Sequence, residues 1–399
     1  MSAAGAIDKR GYLAACAIGV GSSWNIANVG PAADQVADHY GVAVAVVGFF
    51  TTAVFAGEFV SMSTIGRLLA SRGPRQLGIA AVALCIAGNL VTLLGGGVGL
   101  ALALRLVVGI GVGYGFVCGT VYVQQLGGTA LHQGLYGGVS LAAGGSAVAA
   151  VPPLAGSLGW EAPFLFAAVA GAATLPLVFL GREVRTTSGG RREIPFFELL
   201  GDRRLLRFAL IHSASFGLSI VLSNWVVNVL TEGGDYGEET AGLIGAAILV
   251  LGIFSRPGGG LLVHLRPARA RALLAATVAF GAAGSLLLGV APARPLALLG
   301  SVLLGIASGA PFGALVDGIG RVFPDSPGAA FGAMNTYALA LIIVATPLVG
   351  VTLSLPGDGL IGFAAAAGFC LLAGLFLPPQ NLLEPPQPER ATASRAPAD

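Results

Sequence analysis

The sequence predicts an all-α membrane protein with twelve transmembrane helices in two six-helix bundles, related by a parallel pseudo-twofold axis, and with both termini in the cytoplasm. Three observations support this prediction: the composition, the positions of the basic residues and an internal repeat. Of the 399 residues, 55% are apolar and 10% are charged, and the mean hydropathy is +0.84. Soluble domains contain about 25% charged residues, so the composition excludes an ordinary soluble domain.

Short charged segments divide the chain into twelve apolar stretches. A bilayer core of roughly 30 Å requires about 20 apolar residues in a helix, because backbone amides find no water there. The predicted spans are residues 11–33, 42–66, 76–96, 100–125, 133–157, 162–181, 205–230, 241–263, 271–291, 295–321, 328–353 and 359–378. The first span is too long for a signal peptide and lacks a clear cleavage site, so we expect it to be retained.

The basic residues fix the predicted orientation. All but three of the 21 Lys and Arg residues lie on the side of the membrane that holds the termini; Arg105 and Arg256 lie within spans, and Arg294 lies outside. Because basic residues near span ends are retained in the cytoplasm, both termini are predicted to be cytoplasmic in a multi-pass protein of the cell (inner or plasma) membrane. The basic face is a topology signal, so no nucleic-acid partner is predicted.

An internal repeat relates the two halves of the chain at a shift of 194 to 200 residues. The recurring positions are Ser23, Trp24, Asn25 and Asn28 with Ser223, Asn224, Trp225 and Asn228; Arg72 and Arg75 with Arg266 and Arg269; and Gly109 and Gly113 with Gly305 and Gly309. Parallel six-span repeats are a transporter architecture with the substrate site between the halves. The predicted parts are an N-terminal bundle (1–181), a cytoplasmic linker (182–204), a C-terminal bundle (205–378) and a disordered cytoplasmic tail (379–399).

Local motifs resemble those of the major facilitator superfamily. The segment RLVVGIGVG, from Arg105 to Gly113, resembles the Arg-x-x-x-Gly-x-Gly pattern of the fourth span, and GRLLASRGPRQL, from Gly66, resembles the loop motif after the second span. Ala70 and Ser71 replace the Asp and Arg of that loop motif. The resemblance covers residues 10–378 and implies alternating access, with Arg105, Arg72 and Arg75 in coupling or gating.

The seventh and eighth spans resemble those of particular branches of this superfamily. The segments SNWVVNVL and GIFSRPGGG are loosely similar to the nitrate and cyanate porter branches. In the nitrate branch, arginines of both the second and the eighth span bind the ion. Here Arg256 matches the eighth span, whereas Glu58 occupies the second, which disfavours nitrate itself as the substrate.

Two pairs of amides are predicted to line a central cavity. Asn25 and Asn28 share one helical face, as do Asn224 and Asn228, since residues three or four apart are neighbours on a helix. The alternative is that these amides hydrogen-bond neighbouring helices and hold the fold together. Further predicted contacts with the substrate are Trp24, Tyr122, Trp225, Asn335 and Tyr337.

Glu58, Arg105 and Arg256 are ionisable residues predicted at membrane depth, where charged groups are costly and face a wet cavity or each other. We expect Arg256 to bind an anionic group of the substrate and Glu58 to exchange a proton or act as its counter-charge. The alternatives are a standing salt bridge between the two, or snorkelling of Arg256 toward the headgroups. Arg105 lies close to the outer end of its span, so snorkelling competes with a gating role there as well.

Other chemistry has little support in the sequence. The four cysteines show no pair spacing, so neither disulfides nor a metal site are predicted, and no phosphate-binding loop is present. An intramembrane serine hydrolase using Ser146 and His212 is one alternative, and a channel is another. We expect a non-enzymatic, monomeric secondary transporter without cofactors that moves a small polar or anionic solute, with a proton as coupling ion, by symport or antiport. The alternative is an efflux carrier for amphipathic drugs or metabolites.

Overall fold

The structure, a computed structural model, describes residues 7–128, 130–184, 194, 196–234, 236–290, 293–323 and 327–383. Most of the central part of the predicted linker, residues 185–193 and 195, lies outside the described residues, as does the predicted tail beyond residue 383. The beginning of that tail forms the short helix Gln380–Leu383, so the prediction of disorder is wrong for this part.

The described residues form helices joined by turns and loops, without a strand. In chain order the helices are α1 (Lys9–Ser23), α2 (Ala33–Tyr40), α3 (Val44–Arg72), α4 (Pro74–Thr92), α5 (Val98–Gln125), α6 (Ala130–Leu158), α7 (Ala162–Val178), α8 (Phe196–Leu200), α9 (Arg203–His212), α10 (Leu218–Gly233), α11 (Glu238–Val250), α12 (Gly252–Leu265), α13 (Ala270–Gly289), α14 (Arg294–Gly309), α15 (Phe312–Val322), α16 (Pro327–Leu353), α17 (Leu360–Gly374) and α18 (Gln380–Leu383).

Nine helical segments of the described chain are long and apolar enough to cross a bilayer. They are Val44–Met62, Pro74–Thr92, Val98–Gln125, His132–Val178, Arg203–Gly233, Glu238–Val263, Pro267–Gly289, Arg294–Val322 and Ala330–Leu353. The segment His132–Val178 contains both α6 and α7, and the shorter helix Leu360–Gly374 is also apolar. These helices give the chain the architecture of a multi-pass membrane protein.

The first predicted span, 11–33, is not one continuous helix. Helix α1 ends at Ser23, and a short 3-10 helix, Gly30–Ala32, precedes α2. The prediction is wrong beyond Ser23 for two physical reasons. The Asn25 carbonyl accepts a hydrogen bond from the distant Arg105 side chain (2.9 Å), and Pro31 has no N–H to donate to the Ala27 carbonyl in a continuous α-helix.

Three of the long apolar segments are interrupted along their length, at Ser213–Gly217, at Leu251 and at Pro311. A π-helical turn, Ser213–Gly217, joins α9 to α10, and π turns often mark functional sites. A turn at Leu251 separates α11 from α12, and Pro311 separates α14 from α15. These interruptions bring Phe216 and Phe312 to either side of Arg256, as described below.

Corresponding helix starts in the two halves are capped alike. The Asp8 carboxylate accepts a hydrogen bond from the Arg10 amide (3.1 Å) at the start of α1. The Asp202 carboxylate accepts one from the Arg204 amide (2.7 Å) at the start of α9. A side-chain oxygen at this position satisfies amides that the helix itself leaves unpaired. The shift between the two aspartates is the shift predicted from the sequence repeat.

The starts of α4 and α13 are also held alike, by side chains that follow the last span of each half. The Glu183 carboxylate accepts hydrogen bonds from the Arg75 and Gln76 amides (3.1 and 2.8 Å). The Gln380 side-chain oxygen accepts one from the Arg271 amide (3.3 Å). The repeat therefore extends to residues that the sequence comparison did not match.

The two halves also share a close contact between a glycine of one helix and a serine of another. A methyl group added at Gly113 of α5 would lie 2.0 Å from the Ser61 hydroxyl of α3, and one added at Gly309 would lie 2.0 Å from the Ser255 hydroxyl of α12. Glycine is needed at both positions because any side chain would push the helices apart. These contacts bring Gly113 against the Glu58 backbone and Gly309 against the Arg256 backbone.

The two halves of the chain meet along two pairs of helical segments. Helix α3 packs against α16, where the Thr52 hydroxyl donates to the Ile343 carbonyl (3.0 Å). Helix α6 packs against α11 and α12, and a methyl group added at Gly138 would lie 2.7 Å from the Gly252 carbonyl oxygen. The candidate site lies between these two contacts.

Candidate functional site

A small cavity of about 30 Å³ lies between the two halves of the chain. Since about 10 to 15 Å³ of such volume holds one water molecule, it has room for one or two waters. Its lining combines α1, α3, α5 and α6 with the π-helical turn and α12. The lining residues are Ser23, Ile26, Phe55, Glu58, Val112, Phe116, Gly137, Ser140, Leu141, Phe216 and Arg256.

Arg256 supplies a buried positive charge at this cavity. Its side chain is 2% exposed, and its Nη1 donates to the Gly137 carbonyl of α6 (3.1 Å). The guanidinium carbon lies 4.5 Å from the centre of the Phe312 ring and 5.7 Å from that of Phe216. Aromatic faces attract a cation but accept no conventional hydrogen bond from it, so guanidinium donors remain in excess.

The Nε of Arg256 has no hydrogen-bond partner among the described residues. A buried donor without a partner is costly, and a buried charge is costlier still unless something compensates it. Snorkelling does not provide the compensation, because the side chain is enclosed, and that alternative is wrong. The arrangement suits an anionic ligand placed against Arg256 from the cavity.

Glu58 lies on the same cavity and contacts α16 on its other side. It is 4% exposed, and the Asn335 side chain of α16 lies close enough to interact with its carboxyl group. The Asn335 oxygen lies 3.2 Å from Nε2 of His212, which is also buried. The structure therefore places the carboxyl group of Glu58 in a polar cluster that reaches α9 through Asn335.

Glu58 and Arg256 do not form a salt bridge. Within the part of the chain that the structure describes, the ion pair found is that between Asp202 and Arg204, at 2.8 Å. The alternative of a standing salt bridge across the cavity is therefore wrong. The two opposite charges border one small cavity without direct contact, which leaves room for a ligand or water between them.

Arg105 is the second buried arginine, and its surroundings are quite different. Its Nη2 donates to the Asn25 carbonyl (2.9 Å) and to the Asn28 side-chain oxygen (3.0 Å), and its Nη1 donates to the Asn89 side-chain oxygen (3.4 Å). Its guanidinium carbon lies 5.9 Å from the Phe164 ring centre. Arg105 is 1% exposed, so the snorkelling alternative is wrong here too.

The first predicted amide pair belongs to this Arg105 network. The Asn28 amide donates to the Pro163 carbonyl (2.7 Å), and the Asn25 oxygen accepts from Asn89 (2.7 Å). Trp24 packs against apolar residues of α6. None of the three predicted contacts, Trp24, Asn25 and Asn28, is among the described residues that line the cavity, so the structure supports the structural alternative for them.

The second predicted amide pair lies where α10 meets α3. The Asn224 oxygen accepts a hydrogen bond from the Thr51 hydroxyl (2.8 Å), which joins the two halves directly. A methyl group added at Gly30 would lie 2.0 Å from the Asn224 carbonyl oxygen, so the broken first span also closes against α10. Asn224 therefore lies at a contact between α3 and α10 and is not among the described residues that line the cavity; its contact with the substrate stays a prediction.

Trp225 and Asn228, on the same helix as Asn224, are also buried. The Trp225 indole donates to the Thr346 carbonyl of α16 (2.8 Å). Asn228 is 4% exposed, and its side-chain oxygen has no partner among the described residues. Neither residue is among the described residues that line the cavity, and their contact with the substrate stays a prediction.

The predicted tyrosines bind segments that connect helices. The Tyr122 hydroxyl donates to the Arg182 carbonyl, and the Tyr337 hydroxyl donates to the Leu200 carbonyl of α8 (2.5 Å). Neither residue is among those that line the described cavity, and their contact with the substrate stays a prediction. Of the three polar residues predicted alongside the tryptophans, Asn335 alone contacts a cavity residue, Glu58.

The two loop arginines differ from each other. Arg75 donates through Nε to the Val178 carbonyl (3.2 Å) and through Nη2 to the Phe179 carbonyl (3.3 Å), at the end of α7. Arginine near a helix C-terminus compensates carbonyls that lack an intrahelical partner. Arg72 is exposed. Arg75 therefore joins α4 to α7, and both residues remain candidates for gating.

Several site residues were not predicted as such. Phe216 and Phe312 enclose Arg256, His212 contacts Asn335, and Asn89 completes the Arg105 network. Asn89 and His212 carried a signal, because polar groups at membrane depth need partners. The two phenylalanines gave no signal among the 20 in the chain.

The alternative hydrolase has no assembled site. The Ser146 hydroxyl donates to the Ala143 carbonyl of its own helix (2.7 Å), whereas His212 contacts Asn335. Among the described residues, no group of three or more His, Cys, Asp or Glu could hold a metal ion. The four cysteines are free thiols.

Comparison with known protein families gives one finding. The family model described as Major Facilitator Superfamily matches residues 13–347, a range that includes the cavity and the Arg105 network. A comparison with curated proteins finds no match.

Proposed function

Because the chain belongs to the Major Facilitator Superfamily and is a membrane transporter, we propose that it is a secondary active carrier working by alternating access. The proposed architecture is twelve membrane helices in two bundles, 1–181 and 205–378, with cytoplasmic termini. The matched caps of α1 with α9 and of α4 with α13 support this division. The paired contacts of Gly113 and Gly309 support it further.

The proposed substrate is a small polar or anionic solute, and the observation that carries this proposal is Arg256. It is a buried cation at a cavity between the two halves, with a partnerless Nε and no carboxylate within ion-pair distance in the described chain. An anion bound there would complete the hydrogen bonds of the guanidinium and compensate its charge.

Glu58 is the proposed coupling residue. It borders the same cavity, and a proton on its carboxyl group would remove the negative charge that a nearby anion opposes. Proton and anion would then occupy the site together, which corresponds to symport. If binding of the proton displaces the substrate instead, the protein is an antiporter. Transport measurements with an imposed proton gradient distinguish the two cases.

The cavity of about 30 Å³ accommodates hardly more than water, so a solute requires separation of the two halves. We propose that the contacts of Asn224 with Thr51 and Gly30 close the outer side, since α10 ends there in the proposed topology. Arg75 and Arg105 would keep the N-terminal bundle rigid while it rocks, and Arg72 stays accessible for contacts on the cytoplasmic side.

A thermal-shift screen of the purified protein tests this function. We expect at least one of the sodium salts of cyanate, nitrate, formate, acetate or lactate, compared at equal ionic strength, to raise the melting temperature of the wild type. A ligand that binds only the folded state has this effect. Arg256→Gln abolishes the shift, whereas Arg294→Gln, at the exposed start of α14, retains it.

The apolar cavity wall favours one alternative, an efflux carrier for amphipathic drugs or metabolites. Phe55, Phe116 and Phe216 supply aromatic surface next to Glu58. In this case ethidium or tetraphenylphosphonium raises the melting temperature, Glu58→Gln removes the effect and Arg256→Gln does not. That result would contradict the anion proposal.

A further inference from the structure

A continuous set of contacts leads from Glu58 back to Arg256 behind the cavity. The Asn335 side chain lies close enough to the Glu58 carboxyl to interact with it, and the Asn335 oxygen lies 3.2 Å from His212 Nε2. The His212 ring stacks on Phe216, with ring centres 5.3 Å apart, and Phe216 lies beside the Arg256 guanidinium. The four residues Glu58, Asn335, His212 and Arg256 are each at most 4% exposed.

The direction of these hydrogen bonds follows from their chemistry. An amide oxygen only accepts hydrogen bonds, so His212 carries a proton on Nε2 and donates it to Asn335. The Asn335 oxygen is thereby occupied, and its NH₂ group is the part that points to Glu58. An NH₂ group only donates, so the arrangement favours the charged carboxylate of Glu58 over its protonated form.

The surroundings contain few other ionisable groups. Arg256 of α12 faces His212, and Tyr136 of α6 lies near Arg256 and donates its hydroxyl hydrogen to the Phe116 carbonyl (2.9 Å). On the other side of the π-helical turn, the Cys370 thiol donates to the Ala214 carbonyl (3.7 Å). Among the described residues that face Glu58, the polar partner is therefore Asn335.

We propose that Asn335 and His212 are positioning residues that set the pH at which Glu58 takes up the coupling proton. His212 holds the Asn335 amide in the orientation that stabilises the Glu58 carboxylate. The inference rests on the proposed coupling role of Glu58. It adds a contact that reaches the C-terminal half through α16 and α9, so that protonation of Glu58 weakens a hydrogen bond between the two halves.

The change that tests this inference is the removal of the amide donor. In Asn335→Leu, a side chain of similar size without polar atoms, we expect the pH midpoint of Glu58 protonation to move alkaline by about one unit, since a hydrogen bond to a charged group is lost. His212→Met leaves the amide unanchored, and we expect a smaller alkaline shift. His212→Gln restores an N–H donor, and we expect a midpoint near that of the wild type.

The measurement is a pH titration of the full-length protein in lipid by infrared difference spectroscopy, which detects the C=O stretch of a protonated carboxyl group. Glu58→Gln identifies the band. Thr336→Val is the matched control, because the Thr336 hydroxyl bonds its own helix at the Gly332 carbonyl (3.0 Å). If Asn335→Leu does not fold, Asn335→Ser, whose hydroxyl is too short to reach, takes its place.

An unchanged midpoint in Asn335→Leu overturns the inference, and so does the absence of any Glu58 band in the wild type across the titration. If His212→Gln shifts the midpoint as much as His212→Met does, His212 acts by packing and its proposed role is wrong. No substrate is used, so the result is independent of the anion screen. A shifted midpoint together with a failed anion screen would refute the substrate proposal alone.

Discussion

Arg105 and Arg256 are both buried in apolar helices, yet their surroundings differ in kind. Arg105 donates to three oxygens supplied by Asn25, Asn28 and Asn89, whereas Arg256 donates to the Gly137 carbonyl alone and lies between two aromatic rings. The Nε of each guanidinium lacks a partner among the described residues, but Arg105 has three fixed oxygen partners, whereas Arg256 has one and borders the cavity. A buried charge held by several protein partners holds a fold together, while one with few partners at a cavity is suited to a ligand.

The largest effect that this comparison predicts is on stability. Arg105→Gln removes the donor that serves the oxygens of Asn25, Asn28 and Asn89, and we expect it to lower the free energy of unfolding by about 3 kcal/mol, as for other broken buried polar networks. Arg256→Gln removes an uncompensated charge and a single bond, so we expect a loss below about 1 kcal/mol, or a gain. Unfolding by dodecyl sulfate in mixed micelles measures both.

Arg294→Gln is the control for the loss of an exposed positive charge in the same titration. Equal losses for Arg105→Gln and Arg256→Gln would contradict the distinction between the two sites. A larger loss for Arg256→Gln would assign the structural role to Arg256.

A smaller effect is expected where an arginine is exposed. Hydrogen bonds from the Arg204 side chain and from backbone amides hold the pKa of the Asp202 carboxyl below its usual range. A depressed carboxyl pKa stabilises the fold above the pKa of the unfolded chain, near 3.9, and this contribution is lost as the pH falls through the folded value. We expect Asp202→Asn to cost at most about 1 kcal/mol at neutral pH, as for other helix caps.

Because the wild-type carboxyl is itself protonated in acid, the difference between Asp202→Asn and the wild type is expected to vanish once the pH falls below the lowered pKa of the folded Asp202 carboxyl. Melting temperatures of both proteins across this range provide the measurement. A difference that persists at low pH would show that Asp202 acts through shape and not through its charge.

The sequence was sufficient for most of the fold because its signal is local. Hydropathy placed α5 within two residues of its observed start, and the matched caps at Asp8 and Asp202 have the spacing of the repeat. The end of α1 was missed because its cause is distant in sequence. Arg105, 80 residues away in the sequence, donates a hydrogen bond to the Asn25 carbonyl, and no local sequence pattern predicts that bond.

The site was partly predictable for the same reason. The cost of charge in lipid singled out Glu58 and Arg256, and the structure places both on one cavity. The amides were assigned to that cavity because helical periodicity tells which residues share a face, not which neighbour the face meets. Asn25 and Asn224 each meet a partner from another helix, Asn89 and Thr51.

The claim on which this account depends is that the cavity between Glu58 and Arg256 opens alternately to the two sides of the membrane. Ser140→Cys, in a background with the four native cysteines replaced by alanine, places a thiol on the cavity wall. Ser285→Cys, in a buried position of α13 away from the cavity, is the control. Each variant is treated with a membrane-impermeant thiol reagent in right-side-out and inside-out vesicles. The account predicts that the Ser140→Cys thiol is labelled in both and the control in neither; labelling of Ser140→Cys from one side alone, or from neither, would contradict it.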